Sequence, residues 1–337
     1  MKKISLFTIF AIILCFSMGI SAMAVDLATD EEYTITEPHI FTIGPGTDEW
    51  ESYDSIFQRV EACHVSEEEL QQMTTEALYE TVLNYPLLIN MYAYDSIDEG
   101  IARMSKYFGG IDELFSRPDA LDVVREKNIA VQNADEEESL IKSIYAEQLL
   151  CYGEHLANQA DIEEFGVPKA VSQTKGEVYT PNGYPVTVWR NRTWEYWADY
   201  YHDSSISQEW AEALAQEELE VYTTASLVSG PNPAYNCHSY AWYSQSTNNK
   251  NWMVDPDPYI FYKSYTECSQ KLNAKVTYAC EDDPNMLYSY IHSGIVTRAS
   301  GSPRVTSKWG IGAVYKHSPW DCPYATEADT LHYWERA

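Results

Sequence analysis

The chain has 337 residues, with 22 Lys+Arg against 51 Asp+Glu, a formal charge of -29, and 45% of it is hydrophobic. That apolar content is enough to fill a core and excludes a disordered chain, and the length suits one large or two ordinary domains. The acidic excess argues against nucleic-acid binding, which draws its affinity from Lys and Arg neutralising phosphates.

Lys2 and Lys3 precede an apolar run from Ile4 to Gly19, and Ala22-Met23-Ala24 supplies small residues for a signal peptidase. Residues 1–24 therefore read as a signal peptide cleaved after Ala24, which places the protein outside the cell or on its surface. An uncleaved anchor is the alternative, although the run is short for a membrane span. No later stretch approaches the roughly 20 apolar residues of a span, so no stable membrane insertion is expected once the signal is removed. Six cysteines remain: Cys63, Cys151, Cys237, Cys268, Cys280 and Cys322. That is too sparse for a disulfide scaffold, though Cys63 with Cys151 and Cys268 with Cys280 are conceivable pairs.

Residues 25–60 read as an acidic, poorly structured leader, 61–160 as a helical domain and 161–337 as an α+β domain. Ser66-Glu67-Glu68-Glu69 and Ser96-Ile97-Asp98-Glu99 fit the capping box that starts a helix. Apolar positions recur at helical spacing in Ala77, Leu78, Val82 and Leu83, in Ile97, Ile101, Met104 and Phe108, and from Asp135 to about His155. These stripes predict buried helix faces and carry no chemistry. Thr180-Pro181-Asn182-Gly183 between two β-rich runs predicts a hairpin. The aromatic stretch Trp189 to Tyr201 then leads to a helix carrying Trp210, Leu214 and Leu219. Core packing is the default reading of those rings and a binding groove the alternative.

The chemistry-bearing line runs from Gly230 to Trp242. A loop with two prolines ends where helix-compatible residues begin, which sets Cys237 at or near a helix N-terminus. Such a position favours thiolate, and the free amides there can hold an oxyanion. His292 opens an apolar run read as a strand, and the next strand, Arg304 to Gly310, follows a Ser-Gly-Ser-Pro turn. Antiparallel pairing across that turn would bring Ser307 or Lys308 near the end of the strand that carries His292.

Asn236-Cys237-His238-Ser239-Tyr240-Ala241-Trp242, then His292-Ser293-Gly294-Ile295-Val296, then Ser307-Lys308-Trp309-Gly310 with a later His and Pro-Tyr resemble a secreted bacterial branch of the papain-like NlpC/P60 and CHAP cysteine hydrolases. The resemblance covers about residues 230–325. It implies a papain-like domain with a small antiparallel sheet, hydrolysis of amide bonds, often in cell-wall peptides, Cys237 as nucleophile and His292 as general acid/base. The third residue is open between Ser307 and His317, because the Lys308 ammonium has no acceptor for an imidazole N–H. Asn236, His238, Trp242, Lys308 and Trp309 are expected around the substrate pocket.

Plainer readings stand beside these. Cys237 could be half of a disulfide or a buried small residue, and His292 could merely open a strand. Asp255-Pro256-Asp257-Pro258 fits a turn better than a calcium site, and Cys237, His238, His292 and His317 match no familiar zinc spacing. No metal or cofactor is expected. The partner would be a peptide or a cell-wall-derived substrate; the alternative function is noncatalytic binding of a peptide or glycan.

Overall fold

The computed structural model describes residues 33–94, 97–132, 139–159, 173–201, 203–280, 289–326 and 328–337. The predicted signal peptide, the Ser96 cap and the boundary near residue 160 lie outside them.

Helices fill the first half: α1 (Asp48–Glu51), α2 (Ile56–Ala62), α3 (Glu67–Gln72), α4 (Thr75–Leu83), α5 (Ile97–Met104), α6 (Gly110–Ser116), α7 (Ala120–Gln132) and α8 (Ser139–Gln159). Ser66 caps α3 as its sequence predicts, accepting from the Glu69 amide, and Ser55 and Thr74 cap α2 and α4 in the same way. Beyond them follow β1 (Thr174–Tyr179), β2 (Pro185–Arg190), α9 (Trp194–Tyr201), α10 (Gln208–Val221), β3 (Ser226–Ser229), β4 (Trp252–Met253) and α11 (Asp257–Phe261). The chain ends with β5 (Tyr265–Cys268), β6 (Lys275–Cys280), β7 (Ser289–Arg298), β8 (Arg304–Lys308), β9 (Val314–His317) and β10 (Thr330–Arg336).

The architecture is α+β. β1 and β2 form the expected hairpin, with Gly183 at φ +83° in the turn, and β4 completes a three-stranded sheet. The second sheet has seven strands in the order β3-β9-β8-β7-β6-β10-β5, all antiparallel as expected. The pairing of Gly294 with Ser307 is the β7–β8 register that the turn implied.

Residues 34–337 form one compact unit, so the helical and α+β regions are not separately packed domains. The cause is a shared core: Leu78, Leu88 and Met91 from the helical half lie in the same buried cluster as Trp210, Val276, Tyr278, Val305 and Trp309. From Thr34 onward the supposed leader is built into it. Trp50 is fully buried and its indole donates to the Val221 carbonyl at 2.9 Å. Arg59, also fully buried, meets Asp321 at 2.9 Å and donates to the carbonyls of Trp50 and Tyr53. A buried charge persists only when it is paired and hydrogen-bonded, and this pair ties α2 to the C-terminal segment.

The six described cysteines form no disulfide with one another, which overturns both suggested pairs. β10 lies between the strands that carry Cys268 and Cys280. Trp197 and Tyr196 are core residues, which favours the packing reading of the aromatic stretch over the groove. No helix among the described residues is long and apolar enough to cross a membrane.

Candidate functional site

Asn236 fixes the start of the turn that carries the thiol. Its side-chain oxygen accepts from the amides of Ser239 and Met253, each at 3.2 Å, while its nitrogen donates to the Met253 carbonyl at 2.8 Å. The side chain thus acts as an N-cap and also clamps the turn to β4. Cys237 is the first helical residue, as its sequence implied, and the turn continues in π-type geometry over Ser239–Tyr243.

Cys237 lines a cleft of about 170 Å³. Asn236 and His238 stand with it on one side, and Ala93, Tyr94, Glu99 and Arg103 from the helical half form the other. Arg103 pairs with Glu99 at 3.2 Å along α5. Between the two walls lie Gly310 and Tyr324, at the sheet end where β7 begins and β8 finishes. Gly310 has φ +46°, and a Cβ there would come within 2.6 Å of the Tyr92 carbonyl oxygen. Only glycine allows that approach of the two walls.

Side-chain alternation along β7 separates the histidines. Ser293 faces the Cys237 turn. His292 and Gly294 face the opposite side, together with Ser307, which pairs with Gly294. On the Cys237 side the Trp242 indole donates to Ser293 Oγ at 3.0 Å, and Ser293 Oγ lies 2.8 Å from His238 Nδ1. The other His238 nitrogen is bonded to the Tyr290 backbone. On the opposite side the Trp309 indole donates to Ser307 Oγ at 3.2 Å, which lies 2.8 Å from His317 Nε2, while His317 Nδ1 donates to the Ser318 carbonyl at 2.8 Å. Each chain is satisfied when its imidazole is neutral and its serine donates to the remaining ring nitrogen. Burial, the leading cause in both cases, pushes His238 and His317 down to about 4.

His292 has no such chain. It is fully buried, neither ring nitrogen has a hydrogen-bond partner, and no bond joins it to the Cys237 thiol. Its ring stacks on Tyr324 at 3.6 Å and meets Tyr278 edge-on at 5.1 Å. Burial holds it well below the ordinary histidine range, and the neighbouring His317 and His238 push the same way.

No family model, curated protein or solved structure matches this chain.

The structure therefore brings Cys237, Asn236 and His238 together in the cleft and leaves His292 just behind Tyr324. Ser307 and His317, the two options for the third residue, bond to each other and neither bonds His292. Three expected pocket residues lie elsewhere. Trp242 is buried behind Ser293, Trp309 is wholly in the core, and Lys308 is buried with Nζ donating to the carbonyls of Gly310 at 2.8 Å and Gly312 at 2.9 Å. Asp255 and Asp257 form a turn in which the Asp257 amide donates to the Asp255 carboxylate. No three His, Cys, Asp or Glu side chains gather as a metal site among the described residues. Tyr324 belongs to the Pro-Tyr of the resemblance and α5 to a predicted helical stripe, but nothing in the sequence brought them to one site, since chain separations of more than 200 residues join them, as in the Tyr324 bond to Ala93.

Proposed function

We propose that the protein is an exported thiol hydrolase of amide bonds, with a papain-like catalytic arrangement in which Cys237 is the nucleophile and His292 the general acid/base. The observation that carries this reading is His292 itself. A buried imidazole with both nitrogens unbonded forfeits hydrogen bonds that nearly every buried polar group makes, and such groups are retained where chemistry uses them. It lies behind one wall of the cleft into which Cys237 opens.

In the reaction, which requires the His292 ring to reach the cleft past Tyr324, His292 takes the Cys237 proton and the sulfur attacks the carbonyl carbon, forming a C–S bond and an oxyanion that the first amides of the turn would meet. The C–N bond then breaks, and the departing amine takes the proton from the imidazolium. Water, deprotonated by the same imidazole, cleaves the thioester and returns the thiol. Peptides, including those of the cell wall, are the substrate class this chemistry serves.

The full cover over His292 and the missing thiol–imidazole bond favour a second reading: a noncatalytic protein that binds a peptide or glycan in the cleft. Wild type and Cys237→Ala incubated with muropeptides and a mixed peptide library separate the two, with mass spectrometry of the products. Products that vanish with the thiol support the hydrolase, by at least about a thousandfold. Equal products from both proteins, or none from either, remove it.

A further inference from the structure

Tyr324 is in contact with both parts of the site. Its ring lies nearly parallel to the His292 imidazole, 9° between planes. Its edge meets Tyr94 of the opposite wall at 5.4 Å. Its hydroxyl accepts from the Gly310 amide at 2.9 Å and donates to the Ala93 carbonyl. Both hydrogen-bonding roles of the phenol are thereby filled, one from the sheet end and one from the helical half. A ring anchored at its far end by two backbone groups cannot swing without breaking both bonds.

The imidazole, in contrast, has no hydrogen bond to fix its plane. On its own face of the sheet it meets Tyr278 from β6 and Tyr324, with His317 of β9 near, and His238 of the Cys237 turn acts on it from the other face. Of these, only Tyr324 covers a ring face at stacking distance while also lining the cleft.

We propose that Tyr324 is a positioning residue of this site: its anchored ring sets the plane of His292 and the imidazole's access to the cleft, and so does for His292 what a third polar residue would otherwise do. The proposal rests on the hydrolase reading for its kinetic consequence and on geometry alone for its effect on His292.

Removing the ring admits water beside the imidazole, which relieves the burial that disfavours its charged form, so His292 should titrate closer to its ordinary value. The experiment follows the His292 ring signals by NMR against pH in wild type, Tyr324→Phe and Tyr324→Met, with His292→Gln to assign them. Tyr324→Phe keeps the stacked ring but loses both anchoring bonds, so the titration should move less than in the methionine variant. Tyr324→Met should raise it by about one unit or more. The wild-type ring protons should also show the upfield displacement of a stacked ring, which keeps the test alive if the methionine variant does not fold.

An unmoved titration in a folded methionine variant, a phenylalanine variant that behaves like it, or unstacked wild-type chemical shifts would each overturn the proposal. Turnover is measured on the same three proteins with a substrate found by the product screen. The expected loss is more than about tenfold for methionine and smaller for phenylalanine, which keeps the stack without the anchor. A wild type without turnover removes the hydrolase reading and leaves the NMR comparison to decide the role of Tyr324 by itself.

Discussion

Two hydrogen-bonded chains of the same composition lie on opposite faces of the seven-stranded sheet, Trp242–Ser293–His238 beside the cleft and Trp309–Ser307–His317 in the core. In both, an indole N–H and an imidazole share one serine hydroxyl, and the far imidazole nitrogen bonds to backbone. Between them His292 lies with both nitrogens unbonded. The difference teaches how to weigh a buried histidine. His238 and His317, with both nitrogens satisfied, hold structure together, whereas His292, with neither satisfied, is the one that carries the proton in the proposed mechanism.

The largest stability effect expected concerns the inner chain's support. Asp321, buried against Arg59, also acts on His317, favouring its charged form. Replacing Arg59 with Leu leaves the carboxylate buried without its partner, at a cost of about 3–5 kcal/mol in denaturant unfolding. A loss below about 1 kcal/mol would mean that residues 34–62 are not part of the folding unit, and that the inner chain stands without them.

Acid should weaken the fold through the same histidines. His238 and His317 titrate near 4 when folded and near 6.5 when unfolded, so the unfolded chain binds protons first as the pH drops. Their contribution is complete above 6.5 and is lost as the pH falls through 4, by up to roughly 3 kcal/mol each. Glu218 opposes this. Burial lifts it to about 7, against the Tyr315 hydrogen bond and the Lys308 charge, so its contribution is present below the ordinary carboxylate value near 4.5 and disappears as the pH rises through 7. Glu217 and Asp257, also raised with burial the leading cause, act as Glu218 does, so the histidines' part is a decline in unfolding free energy from pH 6.5 to 4 superposed on the carboxylates' opposite change. His317→Asn should flatten that decline, and a slope unchanged in this variant would show that the inner imidazole is not held neutral.

Serine substitutions should tell the two chains apart. Ser307→Ala strands His317 Nε2 and the Trp309 indole in a fully buried place, and unfolding should become easier by about 1–3 kcal/mol, with the alkylation rate of Cys237 within about twofold of wild type. Ser293→Ala frees His238, the residue next to the thiol and itself a wall of the cleft, so the alkylation rate should change by more than about threefold. If Ser307→Ala instead abolished turnover in a folded protein, Ser307 would be the third residue that the sequence left open.

Local features of both fold and site were legible before any coordinates. The Ser66 cap, the Asn182-Gly183 hairpin, the β7–β8 pairing and the helical start at Cys237 each depend on residues within about a dozen positions of one another, where turn and capping chemistry acts. What was illegible is long-range. The Arg59–Asp321 pair spans 262 residues, and no composition rule marks either partner. The face on which His292 lies follows from alternation only once the register is known. The helical half reads as a separate domain because its stripes do pack helix on helix, yet the buried cluster they form runs on into the sheet, and this half contributes Tyr94 and Arg103 to the cleft.

The smallest effect expected is the control for all of these. Gly183 sits at φ +83° in the β1–β2 turn, where a Cβ would meet nothing within 4 Å. Gly183→Ala therefore costs only the backbone strain of a left-handed residue, about 1 kcal/mol, with no clash to repack. The hairpin belongs to the three-stranded sheet and carries neither histidine chain, so thiol alkylation and His292 titration should match wild type. A change in either would mean that the two sheets communicate, and that the histidines' environments are set by more than the side chains that touch them.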